Sequence, residues 1–218
     1  MLIVIGSSSS LAKEISDIDQ NTIFVGRTNP YKFTNWVCGS NLSTNTGIED
    51  ELIIFKNILL EYKDIKVFDL ILLNGISSNS WEDSININLI ATAKISLLFS
   101  EYIRENNIKG SVTLIGSASS YLGGKLPYSM TKASLVGLMN TLSKEYSPNV
   151  RINTVLPGAF ESGMTEDWND DKKVKISSTT YQKRLANATE IVNAIIFCTE
   201  NQYLSGATIN MTSGGVKN

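Results

Sequence analysis

The sequence predicts an α/β fold, a Rossmann-like doubly wound parallel sheet of about seven strands with helices on both faces. Two observations carry that expectation. Apolar runs of strand length alternate with longer segments of helical period along the chain, the pattern of right-handed βαβ units. Most of the apolar runs close on glycine or a polar turn, at Gly6, Gly26, Asn74-Gly75, Gly116 and Pro157-Gly158. Those turns lie where the strands of such a sheet reach its ligand-binding carboxyl edge.

Residues 2–5 are a short apolar run that meets Gly6 and four serines, after which 11–18 has helical spacing. Residues 22–25 form a second strand, closed by Gly26-Arg27-Thr28, and 36–38 a short third. Segment 48–62 places Leu52, Ile53, Phe55, Ile58, Leu59 and Tyr62 at helical intervals before a strand at 70–73. A long helix at 81–105 carries Ile85, Leu89, Ala93, Leu97 and Ile103 on one stripe, and a strand at 111–115 runs into Gly116. Helix 127–146 begins with Pro127, well tolerated in a first turn. Strand 150–155, helix 189–199 and strand 207–210 complete the order. Residues 159–186 belong to none of these elements. They are polar and charged, with few apolar anchors. A loop of that length is usually functional, and it reads as a substrate lid with Met164, Trp168 and Tyr181 as its apolar contacts.

A length of 218 residues suits one domain spanning 1–218. Net charge is −2, so no broad basic surface advertises nucleic acid or an anionic membrane. Histidine is absent, which removes His-activated nucleophiles, His proton shuttles and His-ligated metals. Two cysteines, Cys38 and Cys198, are too few for a zinc site or a disulfide framework and read as buried free thiols. No metal is expected. No run approaches the ~18 apolar residues of a membrane span, and the stretch before Gly6 is too short for a signal peptide. The expected location is cytoplasmic.

The first βα turn, Gly6-Ser7-Ser8-Ser9-Ser10-Leu11-Ala12, suits a pyrophosphate, because small residues admit it and the next helix offers orphan N–H groups. A serine-rich helix cap needs the same residues. At the end of the second strand stands Arg27, one of four arginines. Arginine there matches a 2′-phosphate, where an acid would match the ribose hydroxyls; a solvated surface arginine is the plain alternative.

Without histidine, proton donation to a carbonyl falls to another group. A tyrosine must be brought ~3 units down from ~10, about 4 kcal/mol. A lysine ammonium ~4 Å away supplies about that much at an effective dielectric of ~20, and positions i and i+4 share a helix face. Three Tyr-x-x-x-Lys pairs occur. Tyr62/Lys66 lies where a helix runs out, and Tyr121/Lys125 spans Gly123-Gly124. Tyr128/Lys132 follows Pro127 into a helix among small residues, with Ser117 eleven positions upstream at a strand end, placed to hold a carbonyl.

Taken together these residues resemble the short-chain dehydrogenase/reductases along nearly the whole chain. Residues 5–12 occupy the family's Thr-Gly-x-x-x-Gly-x-Gly turn, with Ser10 and Ala12 at its second and third glycines. Leu72-Leu73-Asn74-Gly75 stands for Asn-Asn-Ala-Gly, and Asn88 for the Asn of the fourth helix. Ser117, Tyr128 and Lys132 complete the catalytic set, and Ser205-Gly206 with Gly214-Gly215 resembles the family's end. Pro157-Gly158 with Phe160 and Ser162 matches the segment that cradles nicotinamide, and Asn41 before Leu42 falls where the family often has an Asp near adenine. The resemblance implies that Tyr128 donates a proton, that Lys132 binds the nicotinamide ribose and lowers the Tyr128 pKa, that Ser117 orients the carbonyl, and that Asn88 holds a relay water. It implies a cofactor held by residues 6–11, Arg27, Thr28, Asn41, Leu42, Asn74, Gly75, Tyr128, Lys132, Pro157, Gly158, Phe160 and Ser162. NADP is preferred and NAD is possible.

The implied reaction interconverts a ketone and a secondary alcohol. A 3-oxoacyl group on acyl carrier protein is one substrate, and a sugar or sugar nucleotide of surface-polysaccharide synthesis another. A catalytically silent NADP-binding sensor is the reading of a different class. The resemblance also implies a homodimer or homotetramer through helices 81–105 and 127–146.

Overall fold

The computed structural model describes residues 1–165 and 167–215, without the side chain of Met164. In chain order the elements are β1 (Leu2–Ile5), α1 (Ser10–Ile18), β2 (Ile23–Gly26), β3 (Trp36–Cys38), α2 (Asn45–Glu61) and β4 (Val67–Leu72). There follow α3 (Trp81–Asp83), a π-helical segment (Ser84–Ala91), α4 (Thr92–Glu105), β5 (Lys109–Ile115), α5 (Ser119–Leu122), α6 (Leu126–Tyr146) and β6 (Val150–Pro157). A 3₁₀ turn (Gly163–Thr165), α7 (Asp170–Thr179), α8 (Ala188–Glu200) and β7 (Thr208–Met211) end the order.

The seven strands form one parallel sheet in the order β3-β2-β1-β4-β5-β6-β7. The order reverses between β1 and β4, so the crevice of a doubly wound sheet opens at their carboxyl ends. Alternation sorts the strand residues between two layers. Ile3, Ile5, Leu70, Leu72 and Leu114 pack with Phe55, Phe99, Ile103 and Leu135 of α2, α4 and α6. Leu2, Val4, Phe24, Ile71 and Val155 face the other way, against Leu11 and Ile15 of α1 and Ile191 and Ile195 of α8. Near-continuous apolar strands are what burial on both faces requires.

Several boundaries differ from the sequence reading, each for a backbone reason. β4 starts at Val67 and β5 at Lys109 because the ladder pairs Val67 with Lys109, although both side chains are exposed. β6 extends to Pro157, in register with Met211. The long helix contains a π-helical stretch in its first half. Residues 159–186 are not one loop: Phe160 bridges Ala186, and α7 lies between. No residue of α7 is buried, so no apolar period announced it, and its start is fixed locally by Asn169, whose side chain accepts from Lys172 N. Cys198 is buried, and burial pushes its thiol up to about 11. Cys38 is exposed, against expectation, because β3 is the edge strand.

Candidate active site

The phosphate-side turn is built from backbone constraints. Gly6 has φ +108°, and a Cβ there would lie 2.9 Å from Asn74 N, so only glycine fits between β1 and the β4 loop. Ser7 is buried, and its hydroxyl donates to Thr28 O at 2.6 Å. It braces the end of β2, where its proton is committed. Ser9 caps α1, accepting from Leu11 N at 3.2 Å. Ser8 is exposed and Ser10 half-buried, whereas the Leu11 side chain is in the core. Arg27 is exposed, with no ion pair or hydrogen bond to its guanidinium among the described residues. Asn41 is exposed and caps its own turn, its Oδ1 accepting from Ser43 Oγ at 3.0 Å. Leu42 packs at the margin of the first core.

The chemical end gathers at β4, β5 and α6. Ser117 follows β5, and its Oγ accepts from Ser119 N at 3.1 Å. Tyr128 and Lys132 share the inner face of α6, half-buried and buried respectively. Lys132 Nζ donates to Ile115 O at 2.8 Å, and burial pushes its ammonium down to about 8. Burial also raises the Tyr128 phenol above its ordinary value, while a hydrogen bond from the neighbouring Ser117 works in the opposite direction. The expected lowering of Tyr128 by Lys132 does not figure among these causes, the ammonium being turned onto the Ile115 carbonyl.

Asn88 is fully buried in the π-helical stretch. Its Oδ1 accepts from Ile76 N at 2.7 Å, and its Nδ2 donates to Ile76 O at 3.0 Å and to Thr131 Oγ1 at 3.1 Å. The side chain thus clamps the loop after β4 to α6, one residue from Lys132. Asn74 works beside it, donating to Ile87 O at 2.7 Å and Thr92 Oγ1 at 2.9 Å. Thr131 and Thr92 belong to this network and were missed by the sequence reading. Thr131 could have been found as the neighbour of Lys132; the Ile76 contact is backbone-mediated and leaves no side-chain signature. The rejected Tyr121/Lys125 pair is indeed broken, with Gly123 at φ +79°, and Lys125 instead donates to Ser77 O at 2.8 Å.

Beyond β6, Pro157 O accepts from Ala118 N at 2.9 Å, tying the two strand-end loops together, and Gly158 N donates to Met211 O at 3.1 Å. Ser162 N donates to Thr165 Oγ1 at 3.0 Å, and Phe160 is half-buried. Tyr181, from the other end of the 159–186 segment, lies over Gly214, where a Cβ would fall 2.2 Å from its ring. Trp168 carries Lys172 Nζ 4.1 Å from its ring centroid. Met164, the third expected contact, has its side chain outside the described residues.

The residues present fit a dinucleotide. Glycine at 75 leaves open a hollow where a Cβ would meet Lys132 Nζ at 3.0 Å and Asn88 Oδ1 at 3.5 Å. Asn74 Oδ1 is buried beside the Gly6 turn without a partner among the described residues, an acceptor of the kind that functional sites leave open.

A family model described as enoyl-(acyl carrier protein) reductase matches residues 72–216. The 3-oxoacyl-(acyl-carrier-protein) reductase FabG of Escherichia coli (strain K12) is 30% identical over 148 residues, 66% of this chain. That of Buchnera aphidicola subsp. Schizaphis graminum is 32% identical over 151 residues, again 66% of the chain. The matched stretch spans 60% of each relative. Among solved structures, a short-chain dehydrogenase/reductase of the glucose/ribitol dehydrogenase type from Brucella melitensis superposes with TM-score 0.82 at 20% identity, covering 100% of this chain and 96% of that one. ElxO with NADP bound gives 0.84 at 17% identity, covering 98% and 97%. The fold, the order of the motifs and the family match agree: the chain belongs to the short-chain dehydrogenase/reductase family.

Proposed function

We propose that the protein is an NADP-preferring oxidoreductase that interconverts a ketone and a secondary alcohol. The convergence of Ser117, Tyr128, Lys132 and Asn88 at the carboxyl ends of β4 and β5 carries this reading. The turn at residues 6–10, Arg27, Asn41, Asn74-Gly75, Lys132 and the 157–162 segment would hold the dinucleotide, which supplies a hydride when bound. Ser117 orients the carbonyl oxygen, and Tyr128 gives it a proton. Lys132 has two further ammonium protons beyond the one on Ile115 O, suited to ribose hydroxyls. A cationic Lys132 directed toward the site also lowers the Tyr128 phenol, reversing the effect of burial. Asn88 acts by holding Ile76 and Thr131, which positions Lys132.

The substrate class this reading favours is a 3-oxoacyl thioester. The curated relatives are named for that substrate. Two large apolar side chains also stand exposed on α5, the short helix that follows Ser117: Tyr121 and Leu122. An acyl chain would cover them, whereas a sugar would not. The 159–186 segment is assigned as the lid. The protein is assigned as a homodimer or homotetramer through α4 and α6, located in the cytoplasm; no helix among the described residues is long and apolar enough to cross a membrane.

The test is NADPH oxidation with a panel of 3-oxoacyl thioesters, ketoses and simple ketones. Turnover on the thioesters that falls at least ~100-fold in Tyr128→Phe, with NADPH binding kept, is expected. Full turnover in that variant would refute the mechanism. Nucleotide binding without turnover on any carbonyl would support the silent sensor instead.

A further inference from the structure

The catalytic reading leaves one buried charge unused. Glu51, on α2, is 1% exposed, and no cation pairs with it: among the described residues the ion pairs are Lys13–Asp17, Lys94–Glu49 and Arg184–Glu190. Its Oε2 accepts from Ser40 N at 2.6 Å and lies 3.0 Å from Ser40 Oγ, a hydroxyl that also contacts Gly47 O. A carboxylate buried without a counter-ion is costly unless something requires it.

Its position suggests the requirement. Gly39 follows β3 and donates its N–H to Gly26 O at 3.1 Å. A Cβ at Gly39 would fall 2.9 Å from Glu51 Oε2 and 3.1 Å from Gly26 Cα. The width of one absent side chain thus separates the carboxylate from the end of β2. On the other side of that end, a Cβ at Gly26 would fall 2.2 Å from Ser7 Oγ. The two glycines let the phosphate turn, β2, β3 and Glu51 stack directly. Arg27 follows Gly26, and its guanidinium has no partner among the described residues. The end of β2 is where the adenosine ribose of a dinucleotide is read.

We infer that Glu51 is a cofactor-specificity determinant: its buried negative charge offsets the attraction of Arg27 for a 2′-phosphate, while its bonds to Ser40 hold the turn that presents Asn41. The inference rests on the dinucleotide reading of the site. A charge held beneath low-dielectric backbone is little screened by salt, so it acts on the doubly charged 2′-phosphate more than on the ribose hydroxyls of NADH.

The experiment is a fluorescence titration of the full chain with NADPH and with NADH. The wild type is expected to prefer NADPH by less than ~30-fold, because Arg27 is opposed. Glu51→Gln keeps the shape and removes the charge, so the ratio of the two dissociation constants should move toward NADPH by about tenfold, the scale of one partly screened unit charge. Ser40→Ala removes a bond to Glu51 and keeps the charge. It should weaken both nucleotides and leave the ratio unchanged. An unchanged ratio in Glu51→Gln, or a wild-type preference above ~30-fold, overturns the role of Glu51 and leaves the dinucleotide reading standing. Binding of neither nucleotide by the wild type overturns both. The wild-type ratio serves as the test even where the Gln variant does not fold.

Discussion

Lys132 shows what a buried ammonium costs at the scale of a residue. Burial holds its ammonium at about 8 against an ordinary 10.5. Between those values the unfolded chain binds more protons than the folded one, so this group adds stability as pH rises from about 8 to 10.5. Below about 8 the buried charge costs the whole difference, on the order of 3 kcal/mol. Lys132→Met is therefore expected to gain most on the wild type below pH 8, with the gap narrowing by up to about 3 kcal/mol toward pH 10.5. Urea denaturation of both proteins across that range would show it, and a pH-independent gap would mean that the Ile115 carbonyl keeps the ammonium charged. Activity should be lost at every pH, the familiar exchange of stability for function.

Among the elements, the turn after β1 and the π-helical stretch do the positioning. Gly6→Ala would force a side chain at φ +108° into Asn74 N. A cost of about 1–3 kcal/mol is expected, together with loss of nucleotide binding, because the same displacement reaches Asn74 and Gly75. Thermal melting with and without NADPH separates the two effects: the variant should melt lower and gain nothing from the nucleotide. Within Ser84–Ala91 the wider helical turn sets Asn88 inward, where Ile76 and Thr131 take up its amide. Such bulges are frequent at functional sites. Here the bulge joins the β4 loop to α6, so the loop that bears Gly75 cannot move independently of Lys132. Asn88→Ala is expected to lower kcat more than it raises KM, since it frees Ile76 without touching the substrate.

At the scale of the whole molecule, the middle of the outward face of α6 offers two small residues to a neighbour. Ala133 and Gly137 are exposed, and a Cβ at Gly137 would meet nothing within 4 Å. If copies pair along this helix, Gly137→Arg should halve the mass seen by light scattering while leaving the far-ultraviolet circular dichroism unchanged. A wild type that already runs as a monomer would remove α6 as an interface.

Much of this architecture could be read from the chain alone. Strands with two buried faces must be apolar nearly throughout, and the turns that end them need glycine or proline, so β1, β2, β4, β5 and β6 were marked by composition and punctuation together. The grouping of Ser117, Tyr128 and Lys132 was legible because a chain without histidine has few other proton donors, and because helical spacing ties the last two together. Other features had no local mark. α7 packs nothing into the core, so it carries no apolar period. The clamp of Asn88 on Ile76 joins residues twelve positions apart through backbone atoms. The burial of Glu51 leaves no mark around it in the sequence, because the segment that covers it, Gly39 and Ser40, follows β3. Pattern and spacing report which residue types must face the core or share one helix face, since those demands are local and periodic. Burial of a single charge, the direction of a pKa and the partner of an amide depend on segments remote in sequence, and those are settled when the sheet brings β2, β3 and α2 together.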